Sequence, residues 1–159
     1  MTTIDPAMRF SVDSNIVIYA EGSDDPFKRE RALFAINRIG KGNIVFPRQT
    51  MGETLRWLIR KGRLERPAAV ARTMLWIEHC ELLDQSVASF RKALDLVSRH
   101  GFQVWDAVIL AASAEAGAAV LLSEDMQHGF IWDGVTIVNP FVLSEEELLQ
   151  LTSTQSTMH

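Results

Sequence analysis

The chain has 159 residues, 47% of them hydrophobic and 23% charged, with a formal net charge of −4, four histidines and one cysteine. That balance suits one folded domain with a sizeable core, and it excludes a disordered chain and a protein that coats nucleic acid through bulk positive charge. No apolar run approaches the roughly 18 residues that cross a bilayer, so no membrane association is expected.

Phe10 and Val12 lead into Asp13, and a second apolar run, Ile16 to Tyr19, follows at once. This predicts a strand that stops at Asp13 and turns into a helix, with the carboxylate on the carboxyl edge of a sheet, where open α/β sheets bind ligands. Taken alone, the segment is explained equally well by Asp13 or Ser14 capping that helix. Ser23 to Pro26 opens a second helix, with Pro at the first turn; Phe27, Ala32, Leu33, Phe34 and Ile36 populate it up to Gly40. Asn43 to Pro47 is a short buried strand. Gln49 to Lys61 carries Met51, Leu55, Leu58 and Ile59 at helical spacing. Arg66-Pro67 opens a further helix, with Val70, Met74 and Ile77 on one stripe. Cys80 to Leu83 reads as a strand or as the continuation of that helix.

Ser86 to His100 is an amphipathic helix, with Val87, Phe90, Leu94 and Val97 expected inward and Gly101 ending it. Val104 to Ala116 is rich in alanine, and small residues let a helix lie close to a sheet, so this one is expected to be central. Ala119 to Leu122 is continuously apolar, as in a strand buried on both faces of a parallel sheet. Thr136 to Pro140 is the last strand. Ser144 and Glu147 then form a capping box, with Leu143 and Leu148 as its hydrophobic staple. The expectation is an α/β fold with a central five-stranded parallel sheet, a helix after each strand and helices on both faces. Residues 1–9 read as an N-terminal extension, 10–151 as a single domain and 152–159 as a flexible tail.

Most of the acids suit helix starts or turns, but four fall where solvation is a poor explanation. Asp13 ends the first strand, Glu53 lies early in the helix after the second, Asp106 opens the alanine-rich helix, and Asp125 follows the Ala119–Leu122 strand. All four are expected on one rim of the sheet, where two unit charges at ~4 Å would repel by roughly 4 kcal/mol at an effective dielectric near 20. Either some stay protonated or a divalent cation sits among them, and oxygen-only ligands suit Mg²⁺ or Mn²⁺. The histidines show no HxxxH or HxH spacing, the lone cysteine excludes a cysteine-built zinc site, and Cys80 has no activating neighbour.

Val12 to Asn15, Gly52 to Leu55, Trp105 to Ala112 and Leu121 to Met126 together resemble the four acidic motifs of PIN domains, most closely those of VapC-like toxins of bacterial toxin–antitoxin pairs. The resemblance runs from about Phe10 to Asn139. It implies a PIN-like fold and a Mg²⁺- or Mn²⁺-dependent endoribonuclease that hydrolyses RNA phosphodiester bonds with a metal-activated water. It also implies a homodimer inhibited by a small cognate antitoxin. Asp13, Glu53, Asp106 and Asp125 would be the catalytic metal-binding acids, with Asn15, Ser123 and Glu124 as polar supports. Ser123 departs mildly from the family's usual Thr or Asn. Asp125, which matches the family column, is favoured over Glu124 as the metal-facing acid.

Arg56, Arg60, Lys61, Arg63, Arg66 and Arg72 follow Glu53 closely. They read as an RNA-phosphate track, with Arg56, Arg60, Lys61 and Arg63 nearest the acids, or equally as a solvated helix face. The four tryptophans are expected in packing rather than in base stacking. Exposed apolar residues between Met51 and Ile77 would suit an antitoxin helix. Two other classes lose a key residue: a dehalogenase-type phosphatase needs Asp where Asn15 stands, and a response-regulator receiver needs Lys where Asn139 stands. A catalytically silent PIN-like RNA- or partner-binding module is the remaining alternative, and its sign would be a missing acid. The absence of a signal-peptide pattern makes a cytoplasmic location the expectation.

Overall fold

A computed structural model describes residues 8–153. In chain order the elements are β1 (Arg9–Val12), α1 (Ser14–Glu21), α2 (Pro26–Ile39), β2 (Ile44–Pro47), α3 (Arg48–Arg60), α4 (Arg66–His79), β3 (Glu81–Leu83), α5 (Val87–His100), α6 (Val104–Glu115), β4 (Ala118–Leu122), β5 (Ile131–Trp132), β6 (Val135–Val138) and α7 (Glu145–Ser153). The expected extension and tail fall largely outside the described residues; within them, Arg9 already belongs to β1 and α7 runs on through Ser153.

One sheet runs in the order β3-β2-β1-β4-β6-β5. The five expected strands are all present and parallel, and a sixth, β5, adds antiparallel to β6 through a tight turn. That turn is Asp133-Gly134, both at positive φ (48° and 82°), the backbone that suits a two-residue hairpin. Two corrections follow. The sheet has six strands, because a two-residue strand is too short to leave a periodic signature in the sequence. No helix separates β4 from β6: the connection is a loop, residues 123–130, and then β5.

The strands alternate faces as period-2 geometry requires. Phe10, Val12, Ile44, Phe46 and Leu122 enter a core covered by α1, α2 and α7, while Leu121, Val135 and Ile137 enter one covered by α5 and α6. Helix α6 is buried from Ala107 to Ser113 without a break. It lies so close to the sheet that Ser113 Oγ donates to Ser11 Oγ of β1 at 2.7 Å, as its small residues predict.

The inward stripe expected on α5 is corrected, and the apolar stripe of α4 also lies largely outside the core. On α5 the buried residues are Ser89, Ala93 and Leu96, and on α4 they are Ala69, Thr73 and Trp76. Val87, Phe90 and Leu94 on α5, and Val70 and Met74 on α4, are exposed instead; Val97 and Ile77 are half-buried. On each helix two neighbouring stripes have similar spacing: on α5 the packing distance chose the one with smaller side chains, and on α4 the buried one is that which carries Trp76 against Phe46. Close approach of α5 to α6 favours Ser and Ala at the contact.

The capping box is formed as expected: the Ser144 amide donates to Glu147 Oε1 at 3.1 Å, and the Glu147 amide donates to Ser144 Oγ at 3.0 Å. Leu148 is fully buried, and Leu143 packs against the same core. Replacing Ser144 by Ala should therefore cost about 1 kcal/mol, measurable as a lower urea midpoint with unchanged slope.

Candidate functional site

The strand order reverses direction at β1, so a crevice opens at the carboxyl ends of β1 and β4, the place where parallel sheets bind ligands. Asp13 and Ser123 are the first residues beyond those two strands. The Asp13 amide donates to the Leu122 carbonyl at 2.9 Å, so the ladder carries on one residue past β1 and sets the carboxylate beside β4.

Asp13 is 4% exposed. Its Oδ1 accepts from the Ser14 amide at 2.7 Å, and its Oδ2 accepts from Ser123 Oγ at 2.8 Å. The residue caps α1 and also projects into the crevice, so the two sequence readings of Asp13 are compatible. Burial pushes its carboxyl up from 3.8 to about 6; the two hydrogen bonds oppose that rise, and the charges of Glu53 and Asp106 add to it.

Glu53 stands on the first half of α3, with Ser14 Oγ donating to Oε2 and Gln49 Nε2 donating to Oε1 at 2.9 Å. Asp106, in the first turn of α6, is half-buried, and its carboxyl is raised by burial, then by the charges of Asp125 and Glu53. Asp125 lies on the β4–β5 loop, and Asn15 Nδ2 donates to its Oδ2 at 2.9 Å. These four acids thus share one rim, and none makes an ion pair among the described residues.

Glu124 stands apart from them. Tyr19 Oη donates to its Oε1 at 2.6 Å, and Lys28 Nζ pairs with its Oε2 at 2.8 Å. Lys28 also reaches Tyr19 Oη at 3.3 Å and lies over the rings of Tyr19 and Phe141. The Glu124 amide donates to Asn15 Oδ1 at 3.4 Å, so Asn15 holds both residues of the loop pair. Glu124 is thereby neutralised and turned toward α1 and α2, while Asp125 keeps a free carboxylate oxygen at the rim.

Sequence reasoning missed Tyr19, Lys28 and Gln49. Gln49 was legible in principle, four residues before Glu53 on one helix face. Lys28 was not, because nothing local links it to Glu124.

The basic stretch divides. Arg72 pairs with Glu21 at 2.7 Å and leaves the expected track, since Glu21 is nearly buried and also accepts from Trp76 Nε1 at 2.7 Å. Arg56, Arg60, Lys61 and Arg63 are exposed and make no ion pair among the described residues. Of the tryptophans, Trp76 is core and stacks edge-on against Phe46, Trp57 and Trp132 are half-buried, and Trp105 is 62% exposed, against the expectation of packing. Cys80 sits at the α4–β3 junction, where burial raises its thiol to about 11. That is the opposite of activation.

The donor set can be tested against a divalent cation. Among the described residues no three Asp, Glu, His or Cys side chains are gathered closely enough to hold a metal ion by themselves. Mg²⁺ does not need one: it keeps several waters and is held by one or two carboxylates together with substrate phosphates. Uncompensated carboxylates that raise one another's proton affinity are the environment such an ion relieves. The site fits a hard, oxygen-preferring cation.

The sequence matches the PIN domain over residues 11–129. No curated protein matches it. Solved structures share the fold at low identity. The sarcin–ricin-loop-cleaving VapC toxin of Mycobacterium tuberculosis superposes with a TM-score of 0.58 at 18% identity, covering 70% of this chain and 86% of that one. A toxin–antitoxin complex from Klebsiella pneumoniae gives 0.64 at 18%, covering 82% and 96%. The DNA-bound VapBC of Salmonella typhimurium gives 0.58 at 17%, again covering 82% and 96%.

Proposed function

This chain belongs to the PIN-domain family, and from that premise we propose that it is a divalent-metal-dependent endoribonuclease, acting as the toxin of a toxin–antitoxin pair. The observation that carries the reading is the rim of four acids, Asp13, Glu53, Asp106 and Asp125, lacking any cationic partner among the described residues at the β1/β4 crevice. Structural neighbours that are toxins or toxin–antitoxin complexes support the toxin role.

Asp13 and Asp106 would hold Mg²⁺ or Mn²⁺, with Glu53 and Asp125 completing the field from either side. Bound there, such an ion would supply stabilisation of charge on a phosphoryl oxygen and a lower pKa for the attacking water. Ser14 and Ser123 fix the Asp13 carboxylate, Gln49 and Ser14 fix Glu53, and Asn15 fixes Asp125. Geometry held in advance is what makes such charge stabilisation effective. Tyr19 and Lys28 act at one remove, by anchoring Glu124 and with it the loop that presents Asp125. The partners that follow are an RNA substrate, a small antitoxin protein and a second copy of the chain.

The test is cleavage of single-stranded RNA by purified protein with Mg²⁺ and with chelator: cleavage only with the metal supports the reading, and metal-independent or absent cleavage sinks it. A second comparison separates the two loop acids. Asp125→Asn should lower kcat by about ten-fold or more, whereas Glu124→Gln, which keeps a hydrogen bond to Tyr19, should cost mainly thermal stability. The reverse pattern would reassign the rim to Glu124.

A further inference from the structure

Two adjoining hollows beside the acidic rim share three residues. The smaller, about 290 Å³, is lined by Ile18, Glu53, Arg56, Trp57, Arg60 and Lys61. The larger, about 480 Å³, shares Ile18, Trp57 and Lys61 and extends past Tyr19 and Gly22 to Arg29. Trp57 lines both. Its ring reaches across to the end of α1, so that a Cβ added at Gly22 would lie 3.6 Å from Cη2. The indole is half-buried and lines both hollows.

Around this ring the cations Arg29, Arg56, Arg60 and Lys61 outnumber the acids Asp24 and Glu53. Arg29, Arg56, Arg60 and Lys61 make no ion pair among the described residues. The chain as a whole carries −4, so four uncommitted cations around one aromatic ring form a local exception. The smaller hollow opens at Glu53, itself part of the acidic rim. A polyanion that leaves the rim past Glu53 crosses this surface.

We propose that Trp57 is a nucleobase platform: a single-stranded RNA runs from the rim past Glu53, stacks one base on the indole, and rests its flanking phosphates on Arg56, Arg60, Lys61 and Arg29. Planar stacking flanked by cations is how proteins hold single-stranded nucleic acid without reading its sequence. The inference rests on the proposed ribonuclease reading and extends it, by naming a base position outside the acidic centre and one direction of the strand path.

The experiment measures binding rather than cleavage. Fluorescence anisotropy of a short labelled single-stranded RNA, in chelator so that nothing is cut, is read for the full chain and its Trp57→Ala and Trp57→Phe variants, with an oligonucleotide of abasic residues as the second probe. Trp57→Ala should weaken binding of the normal RNA roughly ten-fold or more, Trp57→Phe should recover most of it, and neither should alter binding of the abasic strand. Arg60→Ala with Lys61→Ala should weaken both probes alike and reduce the salt slope by about 1.4.

Folding of each variant is checked by its melting curve, and Trp57→Leu, which keeps apolar bulk without an aromatic face, keeps the test decisive if Trp57→Ala does not fold: it should weaken binding of the normal RNA as Trp57→Ala would, and affinity equal to that of the natural chain overturns the proposal. Equal loss on both probes overturns the stacking role. So does unchanged RNA affinity in Trp57→Ala accompanied by lost binding of an acidic peptide, which would assign the hollows to a protein partner. Base-dependent binding through Trp57 by a protein that never cleaves RNA would refute the nuclease reading and leave the platform standing. Normal cleavage with a Trp57-independent affinity would do the opposite.

Discussion

Asp13→Asn is expected to abolish RNA cleavage, by about a thousand-fold or more, in a protein that still folds. The substitution changes charge and almost nothing else. Asn Oδ1 can accept from the Ser14 amide as Asp13 Oδ1 does at 2.7 Å, and the Ser123 hydroxyl, now 2.8 Å from Oδ2, can turn to accept from the new amide. The buried hydrogen bonds survive, so a cavity or an orphaned polar group is not created. What disappears is the negative charge at the centre of the rim. Charge stabilisation by a metal is worth several kcal/mol in the transition state, and roughly 1.4 kcal/mol is ten-fold in rate. Asp106→Asn should behave alike, because Asp106 is the next most buried acid of the set. Single-turnover cleavage with Mg²⁺ in excess is the measurement. Full activity in Asp13→Asn would leave the acidic rim without a catalytic role.

The same substitution should make the metal-free protein more stable at neutral pH. Burial raises the Asp13 carboxyl from 3.8 to about 6. The folded state therefore holds this proton more tightly than the unfolded chain does. Below about pH 4 both states are protonated and the group costs nothing. As pH rises from about 4 to about 6 the unfolded chain ionises first, and stability falls. Above about 6 the whole penalty is present, of order 3 kcal/mol at roughly 1.4 kcal/mol per pH unit. This is the reverse of a salt-bridged carboxylate, which stabilises at neutral pH and loses that contribution in acid.

Asp13→Asn escapes the penalty, so in chelator at pH 8 it should unfold at higher denaturant than the natural chain, and the two should converge near pH 4. Mg²⁺ should then raise the stability of the natural chain and leave the variant nearly unchanged, by mass action on the folded state. Urea titrations at the two pH values decide it. A variant less stable than the natural chain at pH 8 in chelator would mean that the buried carboxylate is better compensated than its surroundings indicate.

Both expectations concern one strand end, and much of that strand end was legible without coordinates. An apolar run stopping at an acid predicts a carboxylate at the sheet's carboxyl edge, and four such acids in order after successive elements predict a shared rim. The capping box at Ser144 and Glu147, the alanine-rich α6 and the doubly buried β4 follow from rules that act within a few residues. Period and propensity decide them before the chain is compact.

Tertiary structure alone decided the rest. Glu124 and Asp125 are adjacent and chemically alike, and only Tyr19 and Lys28, about a hundred residues away in sequence, commit one of them inward. Arg72 looked like its neighbours until Glu21 engaged it. On α4 and α5 two stripes competed for the core; on α5 the separation between packed helices chose the smaller side chains, and on α4 the contact of Trp76 with Phe46 goes with the buried stripe. Sequence determined where carboxylates could gather, because strand ends are set locally. Which of them stay uncompensated depends on ion pairs and packing distances between segments remote in the chain, and those exist only once the sheet has closed the distance.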